Sequence, residues 1–247
     1  MTVRVGAASD VGLKRSQNED RYTVWSADGP AAPARGVLLV VADGMGGAMA
    51  GEVASQFAVE CVLEEYRESD GPAVDDLRRA IVAANHVIHE HSRAHPELRG
   101  MGTTCTAVAL RDGEMAFAHV GDSRAYHVRN GAIRQVTQDH SLVAQLVEQR
   151  HITPEQAKVD PRRNVVTRSV GVGAEVDVDA ARFDEPLAAG DTVLLCSDGL
   201  HTLVEDAEIA RIASGPDPDA ACRALIALAN ERGGNDNITV VIGRVGG

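Results

Sequence analysis

The chain has 247 residues, enough to bury a sizeable core as one domain or two small ones. It carries 36 acidic against 24 basic residues, a formal net charge of −12. That field repels phosphate backbones and anionic lipid, and no Lys/Arg-rich run offsets it, so neither nucleic acid nor a membrane surface is expected as a partner. No stretch approaches the roughly 20 apolar residues of a membrane span, and residues 1–10 lack a charged start, an apolar centre and a cleavage site. A soluble, cytoplasmic protein is expected.

In chain order, residues 3–8, 22–25 and 36–42 read as strands. Helices follow over 51–66 and 74–91, the second with Leu77, Ile81, Ala84 and Ile88 along one face. Residues 104–110, 114–120 and 124–128 then form a meander, its turns marked by Asp112-Gly113 and Gly121-Asp122. Asn130-Gly131 opens a further hairpin to residues 133–136. Two short helices are expected at 141–148 and 153–159, the latter opened by Thr-Pro-Glu-Gln with its cap and first-turn proline. Strands resume at 176–181 and 192–196, helices at 206–213 and 218–232, and a closing strand at 238–245. No repeat and no linker interrupts this order. Antiparallel strands flanked by paired helices predict an α+β fold, two sheets packed face to face and covered outside by helices.

Asp43, Asp198 and Asp236 each stand where an apolar β-like run meets a tight Gly or Asn turn. Partly buried carboxylates need counter-charge, and without matching basic residues nearby they point to a hard-metal site built from oxygen ligands. Cys61, Cys105, Cys196 and Cys222 are scattered without a Cys-x-x-Cys pair, two on expected helices and two on expected strands, and read as buried reduced thiols. His86, His89, His91 and His95 crowd one helical end, but no cysteine or carboxylate follows in register, so a solvated helix face is the expectation there.

Eight motifs follow one another in order. Ser-Asp-x-Gly-x-x-Arg-x-x-Asn-Glu-Asp spans residues 9–20, Asp-Gly-Met-Gly-Gly spans 43–47, and Gly-Thr-Thr begins at Gly102. Gly-Asp-Ser-Arg occupies 121–124, Thr-x-Asp-His-Ser 137–141, and Asn-x-x-Thr-Arg-Ser-x-Gly begins at Asn164. Ser-Asp-Gly starts at Ser197 and Asn-Asp-Asn-Ile-Thr-Val at Asn235. Nearly end to end, the chain resembles the metal-dependent serine/threonine protein phosphatases of the PPM (PP2C-type) family, in the style of the bacterial members that carry Asp-Gly-Met-Gly-Gly.

The resemblance implies an α-β-β-α sandwich, residues 1–247 forming one catalytic domain with a flap over about 140–163. It implies a binuclear Mn²⁺ or Mg²⁺ centre with a weaker third ion. Asp43 matches the carboxylate that bridges two metals, the Gly44 carbonyl a ligand to one of them, and Asp198 and Asp236 ligands to the other. Glu19 and Asp20 match acids that reach the metals largely through water. Asp122, with Asp198, matches the third-metal site, although a turn aspartate bonding its own backbone reads the same in sequence. The implied reaction is hydrolysis of phosphoserine and phosphothreonine by direct attack of a water bridging the two metals, with no phosphoenzyme.

Arg15 matches the phosphate-binding arginine, whose planar fork holds two phosphoryl oxygens; its plain alternative is a surface ion pair. In one respect the chain departs from many eukaryotic members. Met45 stands where they carry a histidine proposed to protonate the leaving group, and His140 and His201, near motif segments, read as structural groups. Phosphorylated protein substrates, with Ser/Thr kinases or regulatory proteins as further partners, and a monomer are expected. A non-catalytic phosphoprotein- or metal-binding relative and a phosphatase for non-protein phosphomonoesters are the alternatives; every carboxylate of the motif set is present, which favours catalysis.

Overall fold

The computed structural model describes residues 1–26, 35–46 and 50–246. Gly47, the last residue of the Asp-Gly-Met-Gly-Gly motif, therefore lies outside the described residues. Two antiparallel sheets form the centre. In one, β1 (Val3–Asp10) pairs with β11 (Ile238–Val245), then come β10 (Thr192–Cys196), β7 (Arg124–Arg129) and β8 (Ala132–Gln135). In the other the order is β2 (Asp20–Ser26), β3 (Val37–Met45), β5 (Cys105–Arg111), β6 (Glu114–Val120) and β9 (Asp179–Arg182), with the short β4 (Gly102–Thr103) joined to the end of β3.

Period-2 alternation sorts the strand side chains into separate cores. Leu39, Val41, Val108, Leu110, Val193, Leu195 and Val241 project between the sheets and bury one another. The opposite faces of the same strands turn outward under helices. Leu38, Val40 and Ala107 pack beneath α1 (Ala50–Glu68) and α2 (Ala73–Ala94), which meet them with Ala54, Ala58, Val62, Ile81 and Ile88. Leu194, Val240 and Ile242 are covered by α5 (Asp198–His201), α6 (Asp206–Ala213) and α7 (Pro218–Glu231). The expected α-β-β-α sandwich is the observed architecture, because strands apolar on both faces require a layer on each side.

Between β8 and β9 lie α3 (Leu142–Glu148) and α4 (Pro154–Val159). Ser141, expected within the first helix, instead caps it, and at the second the expected Thr153 cap forms a reciprocal capping box with Gln156. The strand expected at residues 176–181 starts only at Asp179. Its register sets Asp179 opposite His119, and β6 ends one residue further on at Val120, so residues 176–177 would face the turn that follows β6 rather than a strand. Neither the two-residue β4 nor the single-turn α5 is foreseen from sequence, being too short to carry a periodic signal. All four cysteines are free, three of them buried. Among the described residues no helix is long and apolar enough to cross a membrane.

The seam between the sheets is apolar, and Leu195, with no exposed surface, sits within it. Leu195→Ala is expected to lower the free energy of unfolding by about 3 kcal/mol, from lost transfer energy plus a cavity that rigid strands do not close. Chemical denaturation with an unchanged m-value checks this.

Candidate metal centre

The strand ends at one edge of the sandwich carry the acidic motifs. Pairing of β2 with β3 sets Asp20 directly opposite Asp43. The Asp43 main chain is fixed on its other side: its N–H donates to Thr104 Oγ1 at 2.9 Å, and its carbonyl accepts from Thr103 Oγ1 at 2.9 Å. Thr104 Oγ1 is in turn 2.7 Å from Ser123 Oγ, a buried hydroxyl pair tying the Asp43 strand to the Gly121–Ser123 turn. Two helix and strand glycines make room for Glu19. A Cβ on Gly51 would collide with Glu19 Oε2, and one on Gly44 would collide with the Gly51 carbonyl.

The second sheet supplies the remaining acids. Asp198 opens α5 directly after β10, and Asp236 ends the turn before β11. Asp20 spans the two sheets, its Oδ2 accepting from Ser197 Oγ at 2.7 Å. Arg15, half exposed, donates to Asp236 Oδ2 at 2.8 Å. Asp236, Glu19 and Asp43 together hold the Arg15 guanidinium above its usual pKa, the Asp236 hydrogen bond most strongly. Asp122 is buried in the β6–β7 turn. The fold thus brings Arg15, Glu19, Asp20, Asp43, Gly44, Asp122, Asp198 and Asp236 to one edge, though they are spread over more than 200 positions of sequence.

Electrostatics at this edge is unfavourable for the acids alone. Burial pushes the Asp43 carboxyl well above its ordinary range, and the Asp20, Asp198, Asp122 and Asp236 charges push it further. Asp198 is raised by burial and then by Asp122 and Asp236. Asp20 and Asp122 are each raised to about 6, again chiefly by burial. Asp20 Oδ1 and Asp198 Oδ1 are buried with no hydrogen-bond partner. Among the described residues no three His, Cys, Asp or Glu side chains close into a ligand cage by themselves. Divalent cations fit this donor set on two observations: carboxylate oxygens left without donors, and like charges left without compensation.

Arg124, which sequence reasoning did not single out, and His140 and His201, expected to be structural groups, hold the acids in place. Arg124 grips Asp139 through two nitrogens, at 2.9 and 2.7 Å, locking the Gly-Asp-Ser-Arg turn to the Thr-x-Asp-His-Ser segment. His140 accepts from the Gly121 N–H through Nδ1 at 3.1 Å, leaving Nε2 to donate to Asp179 at 3.2 Å. His201, its pKa pushed down to about 3 by burial, lies with Nε2 3.0 Å from the Asp122 carbonyl. Both histidines are engaged in shaping the Asp122 turn. On α2, His91 and His95 stack at 4.2 Å and His89 lies against the Gly171 carbonyl, remote in sequence from every acidic motif. Beside Asp122 and Asp198 opens a cavity of about 600 Å³, walled on the far side by Val143, Val147 and Ala157 of α3 and α4.

Comparison with known proteins agrees with this geometry. The family model described as "Protein phosphatase 2C" matches residues 14–232. The serine/threonine protein phosphatase PstP of Mycobacterium tuberculosis is 39% identical over 246 residues, covering 99% of this chain but 45% of PstP. The serine/threonine phosphatase stp of Listeria monocytogenes is 37% identical over 240 residues, covering 95% of this chain and 92% of that protein. A crystal structure of the PstP catalytic domain in complex with two manganese ions superposes with a TM-score of 0.83 at 37% identity, covering 99% of each chain. The chain thus spans less than half of PstP and nearly all of the Listeria protein. Its sandwich fold, the motif order and these matches together place it in the protein phosphatase 2C family.

Proposed function

We propose that this chain is a metal-dependent protein phosphatase that hydrolyses phosphoserine and phosphothreonine, residues 1–247 acting as one catalytic domain. The observation that carries the reading is the set of buried carboxylates around Asp43, two of whose members, Asp20 and Asp198, keep an oxygen without a donor. Asp43, the Gly44 carbonyl, Asp198 and Asp236 would hold two Mn²⁺ or Mg²⁺ ions, Glu19 and Asp20 would support them through water, and Asp122 with Asp198 would hold a weaker third. Bound there, such ions supply counter-charge to the phosphoryl oxygens and lower the pKa of water.

The protein's own groups do the rest. Arg15 stands on the open side of the acids, its fork suited to two phosphoryl oxygens, and Asp236 aims it. Asp43 is held rigidly by Thr103 and Thr104, so the site needs little reorganisation when substrate binds. Met45 has no proton to give, both nitrogens of His140 face protein groups, and His201, held neutral by burial, has its Nε2 against the Asp122 carbonyl. The leaving alkoxide therefore takes its proton from solvent water held in the site. Residues 140–163 would form a flap, and the cavity beneath α3 and α4 adjoins Asp122 and Asp198, where polypeptide flanking the phosphoresidue would lie. The expected setting is the cytoplasm, with a monomer opposing Ser/Thr kinases or acting in a regulatory switch.

Chelation is expected to abolish hydrolysis of a phosphothreonine peptide, and Mn²⁺ or Mg²⁺ to restore it; full turnover in excess chelator would sink the metal mechanism. Asp43→Asn should lower kcat by about 100-fold or more, and Glu19→Gln by about tenfold, since the first removes a central ligand and the second a supporting contact. Equal losses would refute that ranking.

Arg15→Ala should raise KM about tenfold and weaken inhibition by inorganic phosphate in proportion, with kcat changed less, because one charge-assisted contact to the phosphoryl group is lost. Unchanged phosphate inhibition would return Arg15 to the role of a surface partner for Asp236.

In chelator, stability should depend on pH in an unusual direction. Asp20 and Asp122 titrate at about 6 in the folded protein, against about 3.9 in an unfolded chain. Between those values the folded state holds protons that the unfolded state has released, so the stability these two groups contribute is fully present below about 3.9 and is lost as pH rises through about 6. The melting temperature of the metal-free protein should be higher at about pH 5 than at about pH 7.5, and Mg²⁺ should remove the difference. A metal-free protein that gains stability over this interval would show that the acids are not proton-bound.

A further inference from the structure

Arg15 lies on the loop between β1 and β2, residues 11–19, which has no regular structure of its own. Its C-terminal end is tied at Asn18 to Ser9 and at the Glu19 carbonyl to Gly44 and Ser55, and the rest is held largely by one neighbouring segment, residues 230–237. Asn237 contributes most. Its Oδ1 accepts from the Glu19 N–H at 2.8 Å, while its Nδ2 donates to the Gln17 carbonyl at 2.9 Å and to the Val11 carbonyl at 3.0 Å. Every hydrogen of the amide and its oxygen are thereby engaged, in a side chain that is 4% exposed. The Asn237 N–H also donates to Asp236 Oδ1 at 2.9 Å, leaving Asp236 Oδ2 to receive Arg15. Leu13 N–H adds a bond of 2.8 Å to the Gly234 carbonyl. Gly12, at φ +76°, lies so close to the Asp236 main chain that a Cβ would collide with its carbonyl.

We infer that Asn237 is a positioning residue for phosphate recognition: its carboxamide clamps both ends of the Arg15 loop onto the turn that carries Asp236, and so sets where the guanidinium stands. The inference rests on the phosphatase reading. An asparagine is required because the clamp needs two donors and one acceptor on a single planar group. Aspartate lacks the donors, and alanine lacks all three. The half-exposed Arg15, with one protein contact from its head group, has nothing else among the described hydrogen bonds to fix its direction.

The test is a double-mutant cycle between Asn237→Ala and Arg15→Ala, read by steady-state kinetics with Mn²⁺ and by amide hydrogen exchange of the metal-free proteins. Asn237→Ala is expected to raise KM and the inhibition constant of inorganic phosphate by about tenfold, with a smaller change in kcat. In the Arg15→Ala background the same substitution should add less than about twofold. Exchange at the Leu13 and Glu19 amides should quicken while the β11 amides stay protected. A KM rise of equal size in both backgrounds, or a lowered melting temperature with normal KM and normal loop exchange, would overturn the inference. Should Asn237→Ala fail to fold, Gly12→Ala shifts the same loop with Asn237 intact, and its KM rise should likewise vanish without Arg15; persistence there would overturn it. Wild-type protein lacking any metal-dependent turnover overturns the phosphatase reading and the inference together, whereas an active wild type with additive variants overturns the inference alone.

Discussion

Mutual repulsion among buried carboxylates is the constraint from which the rest of this molecule follows. Burial raises the carboxyl pKa of Asp20, Asp43, Asp122 and Asp198 at the edge where two sheets meet, and the Asp236 charge raises all four further. Such a group of like charges persists only on a scaffold that over-determines it, because each member would gain by moving into water. The scaffold here is a four-layered stack, helices, sheet, sheet, helices, with an apolar core at each of its three interfaces. The acids sit at the strand ends, where the core stops and solvent begins, so burial is deep enough to fix them and shallow enough to admit a substrate.

Small polar side chains do most of the fixing. Thr103, Thr104 and Ser123 hold the Asp43 strand against the Asp122 turn, Ser197 bridges Asp20 across the sheets, and Asn237 clamps the Arg15 loop. Each is buried and hydrogen-bonded, which in a low-dielectric setting makes the arrangement rigid and its disruption costly. Rigidity matters for the proposed chemistry, since donors and ligands that are already aimed need not reorganise as charge develops.

Two parts of the surface beside the acids differ in how they are held. Helices α3 and α4 contribute no fully buried residue, yet both are capped, and Lys158 reaches Glu205 beside α6. They are thereby placed over a cavity of about 600 Å³ without being welded to the core. The Arg15 loop, by contrast, lacks regular structure but is tied by side-chain amide bonds and a close glycine contact. Ordered backbone need not be helical or extended when its polar groups find partners elsewhere.

Much of this was legible in the chain itself. Alternation and turn pairs placed β6, β10, β11 and α6 to the residue, because their signals are local: period-2 burial, Asp-Gly and Gly-Asp turns, and a helix flanked by loops. The acids of the motifs were legible too, since a carboxylate beside a glycine at the end of an apolar run has few other uses. What sequence alone left open was decided by register and by where a partner strand ends. Only the pairing of β2 with β3 sets Asp20 against Asp43, and the end of β6 at Val120 leaves residues 176–177 without a strand to pair with. Arg15 could be recognised by its spacing from Glu19 and Asp20, but its alignment depends on Asn237, more than 200 residues away, through bonds that no local pattern encodes. Local chemistry determined which residues were available; chain packing decided which of them met, because the energy of a buried polar contact belongs to the pair and not to either residue.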